Sequence, residues 1–216
     1  MSQAEQIAYR AVIFDIGGVV VGSPLEATAR YERDQGISEG FLGRVVLESE
    51  PDGAWPRLER GELSLEEFFP AFDQECRAAG QPISARDLLS RIAAASDPRP
   101  MMLEAIRRIR AGGLGTAALT NNWIGGWDGK ELLYSHFDAF IESSIVGLRK
   151  PDPRIYRLAC KQLSIEPRQA VFLDDIGRNL KPARELGMMT IKVVDPVRAL
   201  GELGTVLGLP LVGAVS

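Results

Sequence analysis

Four positions along the chain carry side chains able to do chemistry together. Asp15 ends the apolar run AVIFD, and Thr120 with Asn121 follows the run GTAAL. Lys150 sits in GLRKPDPRIY, and Asp174 with Asp175 closes AVFLDD. Each has an ordinary reading alone: Asp15, Thr120 and the acidic pair as helix or turn caps, Lys150 as a solvated loop residue ahead of Pro151. Together they offer three carboxylates, one ammonium and one hydroxyl at the C-terminal ends of strands, where open α/β sheets hold their ligands. Carboxylates packed so closely repel and partly neutralise unless cations stand among them. Lys150 supplies one positive charge. A Mg²⁺ ion with oxygen ligands would supply more and suits a phosphate substrate.

The chemistry this set supports is nucleophilic phosphoryl transfer. Asp15 would attack phosphorus to give an aspartyl-phosphate that water then hydrolyses. Mg²⁺, Lys150, the Thr120 hydroxyl and nearby backbone N–H groups would hold the phosphoryl oxygens as charge builds. Gly17 and Gly18 would let the chain turn sharply beside the metal and the phosphate.

Positioning such a set requires a sheet. Five short runs rich in Val, Ile, Phe and Ala read as buried parallel strands: 11–15, 115–120, 137–143, 170–175 and 189–195. Between most of them lie helical stripes. Met102, Ile106 and Ile109 precede the stop at Gly112–Gly113; Ile155, Leu158, Ala159 and Leu163 form a second stripe; Leu180, Ala183 and Leu186 form a third before Gly187. Strand–helix alternation predicts an α/β fold, a doubly wound parallel sheet with a Rossmann-like core. Residues 22–99 show no strand. Ser64 with Glu67 and Ser84 with Asp87 predict capping boxes, the first opening a helix with Leu65, Phe68, Phe69 and Phe72 on one face despite Pro70. The expected organisation is a catalytic core of residues 1–21 and 100–216, with 22–99 inserted as an α-helical cap.

Composition narrows the classes of partner. The chain of 216 residues is 45% hydrophobic, enough for a proper core. With 25 basic against 29 acidic residues and no run of Lys or Arg beyond a pair, neither nucleic acid nor an anionic membrane is expected as the main partner. The opening MSQAEQIAYR lacks the apolar stretch of a signal peptide, and the run at 11–21 is too short to span a bilayer. Cys76 and Cys160 have neither disulfide-framework nor metal-site spacing. A cytoplasmic, reduced protein follows as the expectation. The single histidine, His136, stands among apolar and aromatic neighbours and reads as structural.

The segments FDIGGVV, ALTNNW, VGLRKPDPRIY and VFLDDIGRNLKPARELGMMTI resemble, in order, the four motifs of the haloacid dehalogenase-like hydrolases. The likeness is strongest to the N-terminal phosphatase-type domain of soluble epoxide hydrolases and to the related domain fused to some acyl-CoA dehydrogenases. It extends to RGELSLEEFF and HFDAFIESS, so nearly the whole chain takes part. The resemblance implies that Asp15 is the nucleophile, that Thr120 and Asn121 bind phosphate, and that Lys150 neutralises both. It implies a Mg²⁺ site formed by Asp15, the Gly17 carbonyl and the acidic pair, Asp175 being favoured over Asp174 as direct ligand. A cap closing over the site would exclude water and gate turnover. The implied substrate is a small phosphorylated metabolite or a lipid phosphate; oligomeric state stays open.

One departure matters. Most phosphatases of this family carry a second acid two residues after the nucleophile, as general acid and base; here that position is Gly17. Positioned acid–base catalysis is typically worth about 10²–10⁴-fold, so slow turnover, an activated leaving group or an acid lent by the cap is expected. Glu48, Glu50 and Asp52 are the candidates for such an acid, against a plain solvated loop. Trp123 and Trp127 either floor the substrate pocket or pack beneath the cap. Two other readings compete with a Mg²⁺-dependent phosphatase. One is a phosphate-binding or regulatory module with impaired catalysis. The other is a 2-haloacid dehalogenase, which has a lone aspartate but no need of the acidic pair. A receiver domain is disfavoured, because there the acidic pair comes first in the chain.

Overall fold

Five parallel strands make one sheet: β1 (Ala11–Phe14), β2 (Gly115–Thr120), β3 (Ala139–Glu142), β4 (Ala170–Asp174) and β5 (Met189–Lys192), in the order β3-β2-β1-β4-β5. The computed structural model describes residues 9–125, 129 and 131–212. Among them the helices are α1 (Pro24–Asp34), α2 (Phe41–Glu48), α3 (Ala54–Glu59), α4 (Leu65–Ala78), α5 (Ala85–Ala94), α6 (Pro100–Ala111), α7 (Glu131–Tyr134), α8 (Ser143–Val146), α9 (Pro153–Gln162), α10 (Gly177–Glu185) and α11 (Pro196–Leu207).

Successive residues of β1 face opposite sides of the sheet, and each side is covered. Val12 and Phe14 pack with Met102, Ile106 and Ile109 of α6 and with Leu200 and Leu203 of α11. Ile13 packs on the other side with Ile155 and Ala159 of α9 and Leu180 and Ala183 of α10. Helices on both faces explain why β1 and β4 are buried along their whole length, with no polar alternation. The strand order reverses between β1 and β4, so the crevice beyond their C-terminal ends is the place where ligands bind in such sheets.

Strands end earlier than the apolar runs suggest. β3 stops at Glu142 because Ser143 begins α8, and β5 stops at Lys192 ahead of Asp195, whose side chain caps α11. Asp15 and Asp175 therefore lie just past their strands, on the loops. His136 sits in the turn before β3, and its carbonyl faces Thr116 at the start of β2. That is the end of the sheet away from Thr120, as its structural reading requires.

Residues 24–94 fold into α1–α5 with a core of their own. Phe68 and Phe72 stack at 5.3 Å between ring centroids and Trp55 closes on both, with Leu42, Leu58, Leu88 and Ile92 around them. Ser64 and Glu67 form the expected reciprocal capping box. Ser84 caps α5, but the Asp87 side chain turns instead to Arg91 at 3.2 Å, so that box is half made. The chain leaves and re-enters the sheet region side by side: Gly22 N–H donates to the Asp97 carbonyl at 3.1 Å and Arg99 N–H to that of Val20 at 2.9 Å. No helix among the described residues is long and apolar enough to cross a membrane.

Candidate active site

Asp15 leaves β1 with its backbone N–H still donating to Leu173 of β4 at 2.8 Å, which fixes where its side chain begins. Its Oδ1 accepts the Ile16 N–H at 2.6 Å, and its Oδ2 lies 2.8 Å from Lys150 Nζ. The same ammonium is 2.7 Å from Asp174 Oδ2. Lys150 is 1% exposed, so one cation is buried between two acids. Burial alone would lower its pKa, but Asp15 and Asp174 outweigh that and hold it above the ordinary lysine value.

The neighbouring acids divide their work. Asp174 is fully buried: besides Lys150, it accepts the Ile176 N–H at 2.7 Å and the Asn179 side-chain amide at 3.1 Å. Asp175 faces the cavity and is held by shape. Gly18, at φ +76°, has a backbone turn that favours glycine, and a Cβ there would stand 2.1 Å from Asp175 Oδ2. Arg99 Nη1 donates to the Gly18 carbonyl at 2.8 Å and pins that turn.

Gly17 departs from the expected reason for a glycine. Its φ of −63° suits any residue, but a Cβ would lie 2.8 Å from Pro24 Cγ. The first residue of α1 thus fills the space a side chain at 17 would enter.

One carboxylate oxygen from each of Asp15, Asp174 and Asp175 lies within 4.8 Å of the others. Burial first, then the surrounding carboxylates, pushes Asp15 well above the usual carboxylate range despite Lys150. Burial and the Asp174 charge push Asp175 up to about 6. Three carboxylates against one ammonium leave excess negative charge in a hard, all-oxygen donor set. This fits a divalent cation such as Mg²⁺.

Thr120 stands at the end of β2 beside β1 and lines a smaller cavity of about 90 Å³ behind Gly17. Asn121 clamps Lys150: the Lys150 N–H donates to Asn121 Oδ1 at 2.8 Å, and Asn121 Nδ2 donates to the Lys150 carbonyl at 3.0 Å. Asp15, Lys150, Asn121 and Asp175 thus share one crevice, whereas Thr120 lines the adjoining smaller cavity, which has Gly17 and Asn121 in common with it. A cavity of about 320 Å³ opens above that crevice. Asp15, Asp175, Lys150 and Asn121 lie on its floor, and Leu42, Val46, Trp55, Phe72, Leu88 and Ile92 line its walls.

Glu59, Arg149 and Arg178 also line this cavity, and nothing in their sequence setting singles them out as a group. Glu59 of α3 accepts from Arg149, Asn121 and Trp55, and Arg149 and Arg178 both donate to Glu50. Arg149 adjoins Lys150 and Arg178 follows the acidic pair, which is the one local signal available. Glu50, one of the candidate acids, is ion-paired with both arginines. Burial would raise its pKa, but the hydrogen bonds from Arg178 and Arg149 hold it below the usual carboxylate range. Trp123 lines the cavity and packs edge-on against Trp55 of α3 at 5.9 Å. Trp127 lies outside the described residues.

A five-stranded parallel sheet with an aspartate past β1, a lysine from the segment before α9 and an acidic pair after β4 defines an α/β hydrolytic scaffold. The chain belongs to the haloacid dehalogenase-like hydrolase family, whose model matches residues 9–187. It is 40% identical over 209 residues to acyl-CoA dehydrogenase family member 10 of Mus musculus, covering 94% of this chain and 20% of that protein. It is 35% identical over 221 residues to bifunctional epoxide hydrolase 2 of Sus scrofa, covering 95% and 40%. The chain therefore spans two fifths or less of these relatives' length. Proteins named as phosphatases are also among the matches. In fold it is similar to a family enzyme of Bacteroides thetaiotaomicron solved with magnesium and inorganic phosphate. That likeness has a TM-score of 0.59 at 17% identity, covering 86% of this chain and 94% of that one.

Proposed function

We propose that the protein is a Mg²⁺-dependent phosphomonoester hydrolase that works through an aspartyl-phosphate on Asp15. The observation that carries this reading is Lys150 bridging Asp15 and Asp174 at 2.8 and 2.7 Å, with Asp175 close by on the cavity floor. Residues 22–99 act as the cap, since α1–α5 own a separate core and supply the apolar walls over Asp15.

Asp15, the Gly17 carbonyl and Asp175 would hold Mg²⁺; Asp174, spent on Lys150, Ile176 and Asn179, serves as an anchor. When bound, the ion neutralises carboxylate and phosphoryl charge together. Asp15 forms the new P–O bond as the ester P–O bond breaks and the leaving oxygen takes its electron pair. Water then attacks phosphorus, releasing phosphate and restoring the Asp15 carboxylate. Lys150 stands beside the nucleophile to stabilise charge in both steps, and the Thr120 hydroxyl and Asn121 backbone N–H hold phosphoryl oxygens while the Asn121 side chain holds Lys150. With no acid at 17 the leaving oxygen takes its proton from water. The apolar walls favour an ester of an apolar alcohol, a lipid phosphate, over a polar metabolite.

The test is a phosphate-release screen over alkyl and polyol phosphates, with Mg²⁺ or EDTA. Mg²⁺-dependent release that favours the alkyl esters supports the reading. Binding of Mg²⁺ and phosphate without release from any ester would instead establish a non-catalytic phosphate-binding module, the reading that the blocked position 17 favours.

Gly17→Asp alone is expected to gain little, because its Cβ meets the Pro24 ring. Paired with Pro24→Ala it should raise turnover on poor leaving groups by about 10²-fold, the low end for a positioned acid. The gain on para-nitrophenyl phosphate should be much smaller, since that leaving group needs no proton. Equal kcat changes on the two ester classes would count against this account of Gly17.

A further inference from the structure

Two carboxylates from the helical unit alternate with donors from the sheet region in a single row along the cavity. Arg178 donates to one oxygen of Glu50, and Arg149 Nη1 donates to the other at 2.6 Å. Arg149 Nε donates to Glu59 Oε2 at 2.6 Å, and Asn121 Nδ2 reaches that same oxygen at 3.3 Å. Trp55 Nε1–H fills the remaining Glu59 oxygen at 3.0 Å. Side-chain exposure falls along the row from 39% at Arg178 through 20% and 15% to 10% at Glu59. Charge-assisted bonds strengthen as water is withdrawn and weaken where solvent and salt reach them. The inner end is therefore the firm one, and it ends on the amide that clamps the Lys150 backbone. Arg149, held by Glu59, restrains the same backbone from the preceding residue.

We propose that Glu59 is a positioning residue, carried by the cap, which aligns Asn121 and through it Lys150 only while the cap is seated. Closure and catalytic alignment are then one event. Glu50, at the wet end of the row, fastens the cap without touching Asn121. The inference rests on Asn121 and Lys150 being the phosphate-holding groups.

The measurement is hydrogen exchange at the Lys150 backbone N–H, whose acceptor is Asn121 Oδ1, followed by NMR in Glu59→Gln and Glu50→Gln. Both changes keep side-chain shape and remove charge. Exchange at Lys150 in Glu59→Gln should be faster by about tenfold, as loss of one charge-assisted bond implies. Glu50→Gln should stay within about threefold of the unsubstituted protein. In parallel, kcat on para-nitrophenyl phosphate should fall about tenfold in Glu59→Gln with KM nearly unchanged, a split that a general loosening of the cap would not give. Should Glu59→Gln fail to fold, Glu59→Asp keeps the charge but draws the carboxylate back from Asn121 and Arg149, and is read in the same way. Lys150 exchange that is alike in the two Gln variants, or unaltered in Glu59→Gln, overturns the proposal. The exchange reading needs no turnover. An inactive protein would defeat the phosphatase reading alone, and unchanged exchange in an active one would defeat the positioning role alone.

Discussion

Asp15→Asn is expected to abolish phosphate release while leaving the protein folded. An amide has neither the charge nor the nucleophilicity to attack phosphorus, so kcat should drop by about 10³-fold or more. Shape is kept: the amide oxygen can still accept the Ile16 N–H, which the parent carboxylate takes at 2.6 Å. Removing one of three crowded acids also relieves repulsion. Burial and the neighbouring carboxylates hold Asp15 above the usual range and Asp175 at about 6, against an ordinary carboxylate value of 3.8. An acid whose pKa is raised by folding stabilises most below its unfolded pKa, and that contribution is lost as pH rises through the folded value. In EDTA the unsubstituted protein should therefore lose stability from pH 4 upward, through about 6 as Asp175 ionises and on to higher pH as Asp15 does, and Asp15→Asn should lose less. Thermal melts across that range, with and without Mg²⁺, read the difference. Full activity in Asp15→Asn would end the aspartyl-phosphate mechanism.

The sheet and the floor of the site were legible for a shared physical reason. A strand buried on both faces is nearly all apolar, so Asp15 and the Asp174–Asp175 pair mark where AVIF and AVFL run out and the crevice begins. Short helices were harder to read. α3 is six residues with Pro56 inside and no side-chain cap, and α2 follows Gly40, which has no side chain to cap it, so neither advertises itself. The division between Asp174 and Asp175 could be read only through the resemblance, because two adjacent aspartates are the same chemistry until Lys150 and Asn179 single one out. Least legible was the row from Asn121 to Arg178. Its bonds join residues 62 to 128 positions apart, and a charged residue on a helix gives no sign of which distant partner it will meet. Gly17 showed that an acid is missing. That Pro24 occupies its space emerged only from the packing.

Lys150→Met is expected to be the most destabilising single change at the site. The ammonium is 1% exposed and lies 2.8 Å from Asp15 and 2.7 Å from Asp174, which is itself fully buried. Methionine fills much of the stem's volume but leaves two acids facing each other without a cation. Breaking a buried ion pair on one side costs about 3–5 kcal/mol, because the abandoned charge stays desolvated. The expected cost in EDTA lies in that range, read by urea denaturation at neutral pH. It should shrink as pH falls, since protonating the stranded carboxylates removes the repulsion. Lys150→Met with Asp174→Asn removes a cation and an acid together, so the pair should cost less than the sum of the single changes. Activity should fail in the single and the double variant alike, because neither keeps the ammonium beside Asp15. If stability in the double variant were simply additive, Lys150 would be acting by filling space rather than by pairing charge, and its place beside the nucleophile would need another explanation.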